Sequence, residues 1–290
     1  MGRTGLPRRR DPRGGPIKHA MPRDLPRLWV PLLHRLSSSS KNQAVLKNIE
    51  AGLTGEGDVD FIAPRFEWEE IRILFQTWAE ERGLGPVIAC RHIPSALFLL
   101  AVDRSVPDFL QLDVRDRITF RGATVFESSD AAHLMEMDAR GFRRLRPGAE
   151  GLFKLVVNAT GPTGRPKPKI LEKENVIDLL RSDPEGMLST ASSIFARVED
   201  SVLTGARAAM EGRWNRRAMA TVEGWYVLKI LGDPRTAGLR LRARRAKKEC
   251  EVMRTSLASA RRIPGDVDLW LEEVARSRRH RVSHHASDHE

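Results

Sequence analysis

Cysteine is nearly absent from this chain. Cys90 and Cys250 are its only two, and they lie too far apart to match a metal-ligand or redox spacing. Two unpaired thiols fit a reducing compartment, so the expected location is the cytoplasm. Long apolar runs are also missing: Ser95 to Val102 is a strand's worth, far short of a membrane span. There is no Walker A loop, Rossmann glycine fingerprint, zinc spacing or Gly-x-Ser-x-Gly elbow. Those absences remove the simplest sequence routes to P-loop phosphate binding, dinucleotide binding, structural zinc and serine hydrolysis. No internal repeat is detectable. The first 27 residues, rich in Arg, Pro and Gly (Arg8, Arg9, Arg10, Pro12, Gly14, Gly15, Pro16), lack the apolar centre of a secretory signal. Residues 1–27 are expected to form a disordered basic tail, a basic arm gripping an anion being the alternative, and Met21 is a second candidate start.

What the chain does have is positive charge. Its 49 Lys and Arg exceed 38 Asp and Glu, a net charge of +11, which favours an anionic partner: nucleotide, nucleic acid or acidic membrane. Against that background one acidic pattern stands out. Gly57-Asp58-Val59-Asp60-Phe61-Ile62 reads as a strand entered through a glycine-rich turn, and Leu110-Gln111-Leu112-Asp113-Val114 as another. Side chains alternate along a strand, so Asp58 and Asp60 face one way while Val59 and Phe61 enter the core. Two carboxylates at that spacing repel unless a cation intervenes. With Asp113 they offer an oxygen-rich site for a hard divalent metal, magnesium or manganese, as two-metal phosphoryl transfer requires.

The spacing predicts a short apolar segment over 25–36, then a serine run that is a linker or helix cap, and a helix over 42–51 ending at Gly52. A helix over 67–82 presents Trp68, Ile71, Leu74, Phe75 and Trp78 on one face, with Gly83 closing it. Glu67, Glu69 and Glu70 then fall in its first turn, where acids suit the helix dipole. Strands are predicted over 87–92, 96–102 and 109–118, with a fourth candidate over 122–126. A buried helix covers 151–158, and the rigid basic loop 161–169 leads into a mainly helical remainder. The fold class is therefore α+β: a small mixed β-sheet backed by helices (28–160), a helical C-terminal domain (161–276) and a disordered tail (277–290).

Residues Val45-Leu46-Lys47-Asn48-Ile49-Glu50-Ala51-Gly52-Leu53 and Gly57-Asp58-Val59-Asp60-Phe61-Ile62 together resemble the nucleotidyltransferase-fold superfamily. The run Phe109 to Val114, with Phe120-Arg121-Gly122 after it, is similar to that superfamily's third-carboxylate strand, and Pro147 to Asn158 to the helix behind its sheet. The likeness covers about Leu46 to Asn158. It implies that Asp58 and Asp60 ligate a nucleotide-bound metal, and that Asp113 shares the metal and accepts the attacking hydroxyl's proton. It also implies a nucleoside triphosphate substrate and a hydroxyl acceptor that the sequence does not name. The superfamily usually holds the triphosphate with a Gly-Ser or Gly-Gly pair. Here Lys47-Asn48 stands in that place, so Lys47 as a point charge, Asn48 as a donor and the Gly57 backbone are the expected nucleotide-binding groups. The same departure raises an alternative: a degenerate fold that binds nucleotide, nucleic acid or a partner without transfer.

Other signals have plainer readings. Gly265-Asp266-Val267-Asp268 repeats the acidic tetrapeptide but precedes a helical pattern, so Asp266 reads as a helix cap. Asp116 is expected on the opposite strand face from Asp113 and solvated, and Asp103 and Asp108 form the turn around Pro107. Arg91-His92 lies mid-sheet, and His280, His284, His285 and His289 form a solvated end. Trp214, Trp225 and Tyr226 are expected to pack the C-terminal core. Arg240, Arg242, Arg244, Arg245, Lys247 and Lys248 make a basic helix, either a solvated face or a surface for nucleic acid or lipid phosphate.

Overall fold

The computed structural model describes residues 24–231, apart from 56, 86, 94, 104–107 and 174. Both tails, with the 240–248 basic block, Asp266, Asp268, Cys250 and the terminal histidines, lie outside the described residues. So do the side chains of Cys90, Arg91, His92, Asp103 and Asp108.

The architecture is α+β. Seven strands form one mixed sheet in the order β3-β4-β5-β2-β1-β9-β8. They are β1 (Ala44–Lys47), β2 (Val59–Ile62), β3 (Val87–Ile93), β4 (Ala96–Asp103), β5 (Asp108–Arg115), β8 (Met135–Met137) and β9 (Arg143–Leu145). β6 (Arg117–Phe120) and β7 (Ala123–Glu127) pair as a separate hairpin. The expected 109–118 strand is thus two strands in two sheets. β2 and β5 run parallel, as do β1 and β9, while the other pairs are antiparallel.

One sheet face is apolar throughout its centre. Val59, Phe61, Leu97, Leu99, Ala101, Leu110, Leu112 and Val114 are buried together with Trp29, Leu32, Leu33 and Leu36 of α1 (Leu25–Ser39) and Trp68, Ile71, Phe75 and Trp78 of α3 (Trp68–Glu81). Trp29 stacks on Trp78 at 5.5 Å between ring centres. α3 matches its apolar spacing and stops at Gly83, whose φ of 64° lets Leu84 N–H reach back to the Ala79 carbonyl at 2.8 Å. Glu69 and Glu70 occupy the first turn. Glu67 instead sits in the preceding 3₁₀ turn, its carboxylate accepting from Ser40 Oγ and Gln43 Nε2, each at 2.8 Å.

Two expectations near the N-terminus need correction, one in part and one in full. Of the two readings of the serine run, the linker fails and the cap holds: Ser37 to Ser39 finish α1 and Ser40 is its C-cap. The helix expected over 42–51 is replaced by β1, a left-handed Asn48 (φ 58°, ψ 28°) and the short α2 (Ile49–Thr54). Val45 and Ile49 are four apart, but they lie on β1 and α2 and are buried in one cluster, which mimics the spacing of a single helix.

On the other face, Ala44, Leu46 and Ile62 join a cluster built by Leu145, α4 (Pro147–Phe153), the π-helical turn Lys154–Ala159, the β6–β7 hairpin, α6 (Val176–Ser182), α7 (Pro184–Ile194), α8 (Glu199–Met210) and α9 (Arg216–Leu231). This cluster contains residues from both sides of the 161–169 loop. Tyr226 packs edge-on against Phe120 and Phe195 within it, and Trp214 donates to the Gly164 carbonyl at 2.7 Å. Trp225 does not pack inside; it is 37% exposed, on the outer side of α9. No helix among the described residues is long and apolar enough to cross a membrane.

Gly164 fixes the loop to α9. Its φ is +67°, and an added Cβ would lie 2.4 Å from Ala220 N and 2.5 Å from Arg216 O, both backbone atoms. Gly164→Ala is expected to cost at least about 2–3 kcal/mol, combining overpacking with a strained left-handed alanine. A urea melt that leaves the midpoint unchanged would contradict this docking.

Candidate functional site

The register places the acids before any side chain is considered. Asp113 on β5 pairs with Asp60 on β2, Asp60 with Lys47 on β1, and Asp113 with Phe98 on β4. Phe98, Asp113, Asp60 and Lys47 therefore form one row across four adjacent strands, which lie about 4.8 Å apart. Because Val59, Phe61, Leu112 and Val114 fill the α1–α3 side, Asp60 and Asp113 must face the other. Asp58, half-buried just ahead of β2, reaches that face too, as its link to Gln111 shows. Apolar ground lies on each side: Ala96, Phe98 and Leu100 along β4, and Ala44, Leu46 and Ile62 toward α4.

Asp60 and Asp113 are nearly inaccessible, at 7% and 2% exposure. Burial, with the adjacent Asp60 and then Asp58 carboxylates, pushes the Asp113 carboxyl up to about 7, against opposing pulls from Arg115 and the Gln111 hydrogen bond. Lys47 Nζ stands 3.5 Å from Asp60 Oδ2. Arg115 straddles the pair, Nε 3.7 Å from Asp60 Oδ1 and an Nη 3.8 Å from Asp113 Oδ2. These are loose ion pairs, and the buried Arg115 Nε makes no hydrogen bond among the described residues. Gln111 Nε2 donates to Asp58 Oδ2 at 3.0 Å and to Asp113 Oδ1 at 2.6 Å, spanning the two acids. Among the described residues, no group of three His, Cys, Asp or Glu side chains is arranged as it stands to hold a metal ion.

The β1–α2 turn that presents Lys47 is anchored from below. Asn48 N–H donates to Glu150 Oε1 at 2.9 Å, so this donor points inward at a carboxylate. The same oxygen takes Lys154 Nζ at 2.6 Å, and Oε2 takes Arg144 Nη2 at 3.1 Å. Glu150 and Lys154 are each 4% exposed. Arg140 ties Asp138 to Glu50 on α2, and Asp138 is held below the usual carboxylate range chiefly by its hydrogen bond from Arg140. Gly57 has room: an added Cβ would meet only Ala51 Cβ, at 3.7 Å, so packing does not demand glycine there.

Asp116 corrects its expected role. It is buried, beyond the end of β5, and both carboxylate oxygens accept from Arg117 at 2.9 and 3.0 Å. Gln111, Arg115, Glu150 and Lys154 carry no flag in the motif reading. A signal existed for each: Gln111 and Arg115 sit two residues either side of Asp113 and must share its face, and Glu150 precedes Lys154 by one helical turn. No protein-family model, curated protein or solved structure matches the chain.

Proposed function

We propose that the chain is a metal-dependent nucleotidyltransferase, moving a nucleoside monophosphate from a nucleoside triphosphate to a hydroxyl acceptor in the cytoplasm. The observation that carries this reading is the shared row: Asp60 and Asp113 side by side on parallel strands, Asp58 linked to them, and two cations at the edge. Three carboxylates on one face suit a hard divalent cation, magnesium or manganese, held by Asp58, Asp60 and Asp113. When bound, it would neutralise triphosphate oxygens and polarise the α-phosphorus.

In the transfer, the acceptor oxygen forms a bond to the α-phosphorus as the bond to pyrophosphate breaks, and Asp113 takes the hydroxyl proton. Lys47 and Arg115, only loosely engaged with carboxylates, are placed to turn toward phosphate oxygens once the acids hold a metal. Phe98 and its apolar neighbours offer a surface for the base.

Asp58 is the cleanest test because it is half-buried and precedes the strand, so its loss leaves the sheet core intact. With labelled nucleoside triphosphates, magnesium and cell extract as acceptor source, wild type is expected to label a product and Asp58→Ala to fall at least about 100-fold. Undiminished labelling by Asp58→Ala would refute the assignment.

The bridging Gln111 amide favours a second reading, a nucleotide-binding module without transfer, because it joins Asp58 and Asp113 without metal. Calorimetry separates the two. Magnesium-dependent triphosphate binding lost in Asp58→Ala supports the enzyme; metal-independent, salt-sensitive nucleic-acid binding supports the module.

A further inference from the structure

We infer that the loop 161–169 and the first turn of α9 form a docking surface for the phosphate backbone of a nucleic acid. The surface uses none of the acid-row residues and stands whether or not those acids transfer a nucleotide. Arg165, Lys169, Arg216 and Arg217 are exposed, and none of them makes an ion pair among the described residues. The fold brings the loop cations to those of α9. Arg216 Nε donates to the Thr163 carbonyl at 3.2 Å and its Nη2 to Thr163 Oγ1 at 3.3 Å, two residues from Arg165.

The loop is held rigid before any partner arrives. Gly161 N–H donates to the Arg165 carbonyl at 2.6 Å, Lys167 N–H donates to the Ala159 carbonyl at 2.8 Å, and Thr160 pairs with Pro166. Pro162, Pro166 and Pro168 each fix a backbone angle. Trp214 and the close approach of Gly164 to Ala220 seat the loop on α9. Thr163 holds a left-handed φ of 58°, an unusual state for a β-branched residue, where Arg216 binds it. A backbone ordered in advance lowers the entropy lost when its side chains are engaged.

The charge of this surface is left uncompensated. Glu223, the acid of α9 that faces the loop, already accepts from Arg121 Nε at 2.8 Å and Gly164 N–H at 3.0 Å, and Glu211 is engaged by Arg213. α3 and α8 open with acids, whereas α9 opens with Arg216 and Arg217 and has no acid in its first turn. Two cations at the positive end of a 16-residue helix are unfavourable until an anion joins them. Three of the four exposed cations are arginines, whose planar forks match phosphate oxygens. A lipid surface is the poorer fit: none of the large exposed hydrophobics lies in the loop or the first two turns of α9, so nothing there enters a bilayer.

The test is anisotropy of a labelled mixed-sequence single-stranded RNA with the full chain, without magnesium, over about 50 to 200 mM salt. Arg165→Gln with Arg217→Gln removes two contacts. Each is expected to contribute about 0.7 to the salt slope, so the double variant should flatten it by about 1.4 and bind roughly 25-fold more weakly at about 0.1 M salt. Arg165→Lys with Arg217→Lys keeps both charges and should hold the slope. Arg27→Gln with Arg82→Gln makes the same change in net charge on the α1–α3 layer and should bind as wild type does; thermal melts confirm that each variant folds. Loss confined to the Arg165 and Arg217 glutamine variant supports the surface. Unchanged binding in that variant, equal loss in the Arg27 and Arg82 control, or no binding by wild type overturns it. So does binding to polyglutamate or phosphatidylserine vesicles as tight as to RNA.

Discussion

Asp113→Asn is expected to stabilise the folded protein at pH 8 while abolishing transfer. The wild-type carboxyl titrates near 7 in the fold, well above its ordinary range, because burial and two neighbouring acids oppose its charge. A raised folded value means that the native state holds a proton the unfolded chain has released between about pH 4 and pH 7. Wild-type stability should therefore fall as pH rises through that window and level off above it. At about 1.4 kcal/mol per pH unit the full penalty is on the order of 4 kcal/mol. Asparagine keeps the oxygen that accepts from Gln111 and cannot ionise. Its midpoint should exceed that of wild type by roughly 8–16 °C at pH 8 and match it near pH 4. Thermal melts at pH 4, 6 and 8 decide the matter: parallel curves for the two proteins would mean that Asp113 is not a strained acid. Gain of stability with loss of turnover is the pattern expected where an active site stores unfavourable charge.

The sheet geometry around that residue was legible because it depends on alternation alone. Val59 and Phe61, or Leu112 and Val114, could enter an apolar core only by turning Asp60 and Asp113 to the other face. The order of strands was not legible. That β5 lies beside β2, rather than across the sheet, depends on a crossover through α3 and two further strands, and no local spacing reports it. β1 was hidden by its length, since four apolar-centred residues fit a helix or a strand equally well. β8 and β9, with three residues each, offer no period at all. The site's positive and amide groups were half-legible: the alternation that orients Asp113 also orients Gln111 and Arg115. The motif drew attention to acids and left their neighbours unread. Asp116 shows another gap: local strand alternation said nothing about its burial or its pairing with the next residue, Arg117.

Glu150→Ala should be the most destabilising single change in this region. One buried carboxylate satisfies Lys154, Arg144 and the Asn48 N–H, from three separate elements. Truncation removes the carboxylate that faces an ammonium only 4% exposed, and leaves the part-buried Asn48 N–H without this acceptor. Breaking a buried pair from one side costs about 3–5 kcal/mol, so the thermal midpoint is expected to drop by about 10 °C. The double variant Glu150→Leu with Lys154→Met removes the buried ammonium together with its carboxylate and should recover part of that loss, the Arg144 and Asn48 bonds to Glu150 staying lost. It should not recover metal-dependent nucleotide binding. The Asn48 turn, which adopts a left-handed conformation tied down by Glu150, would lose its anchor, and Lys47 would lose its fixed approach to Asp60. Stability rescued without binding would assign Glu150 to positioning the phosphate-facing turn. Both properties returning together would reduce it to a packing element.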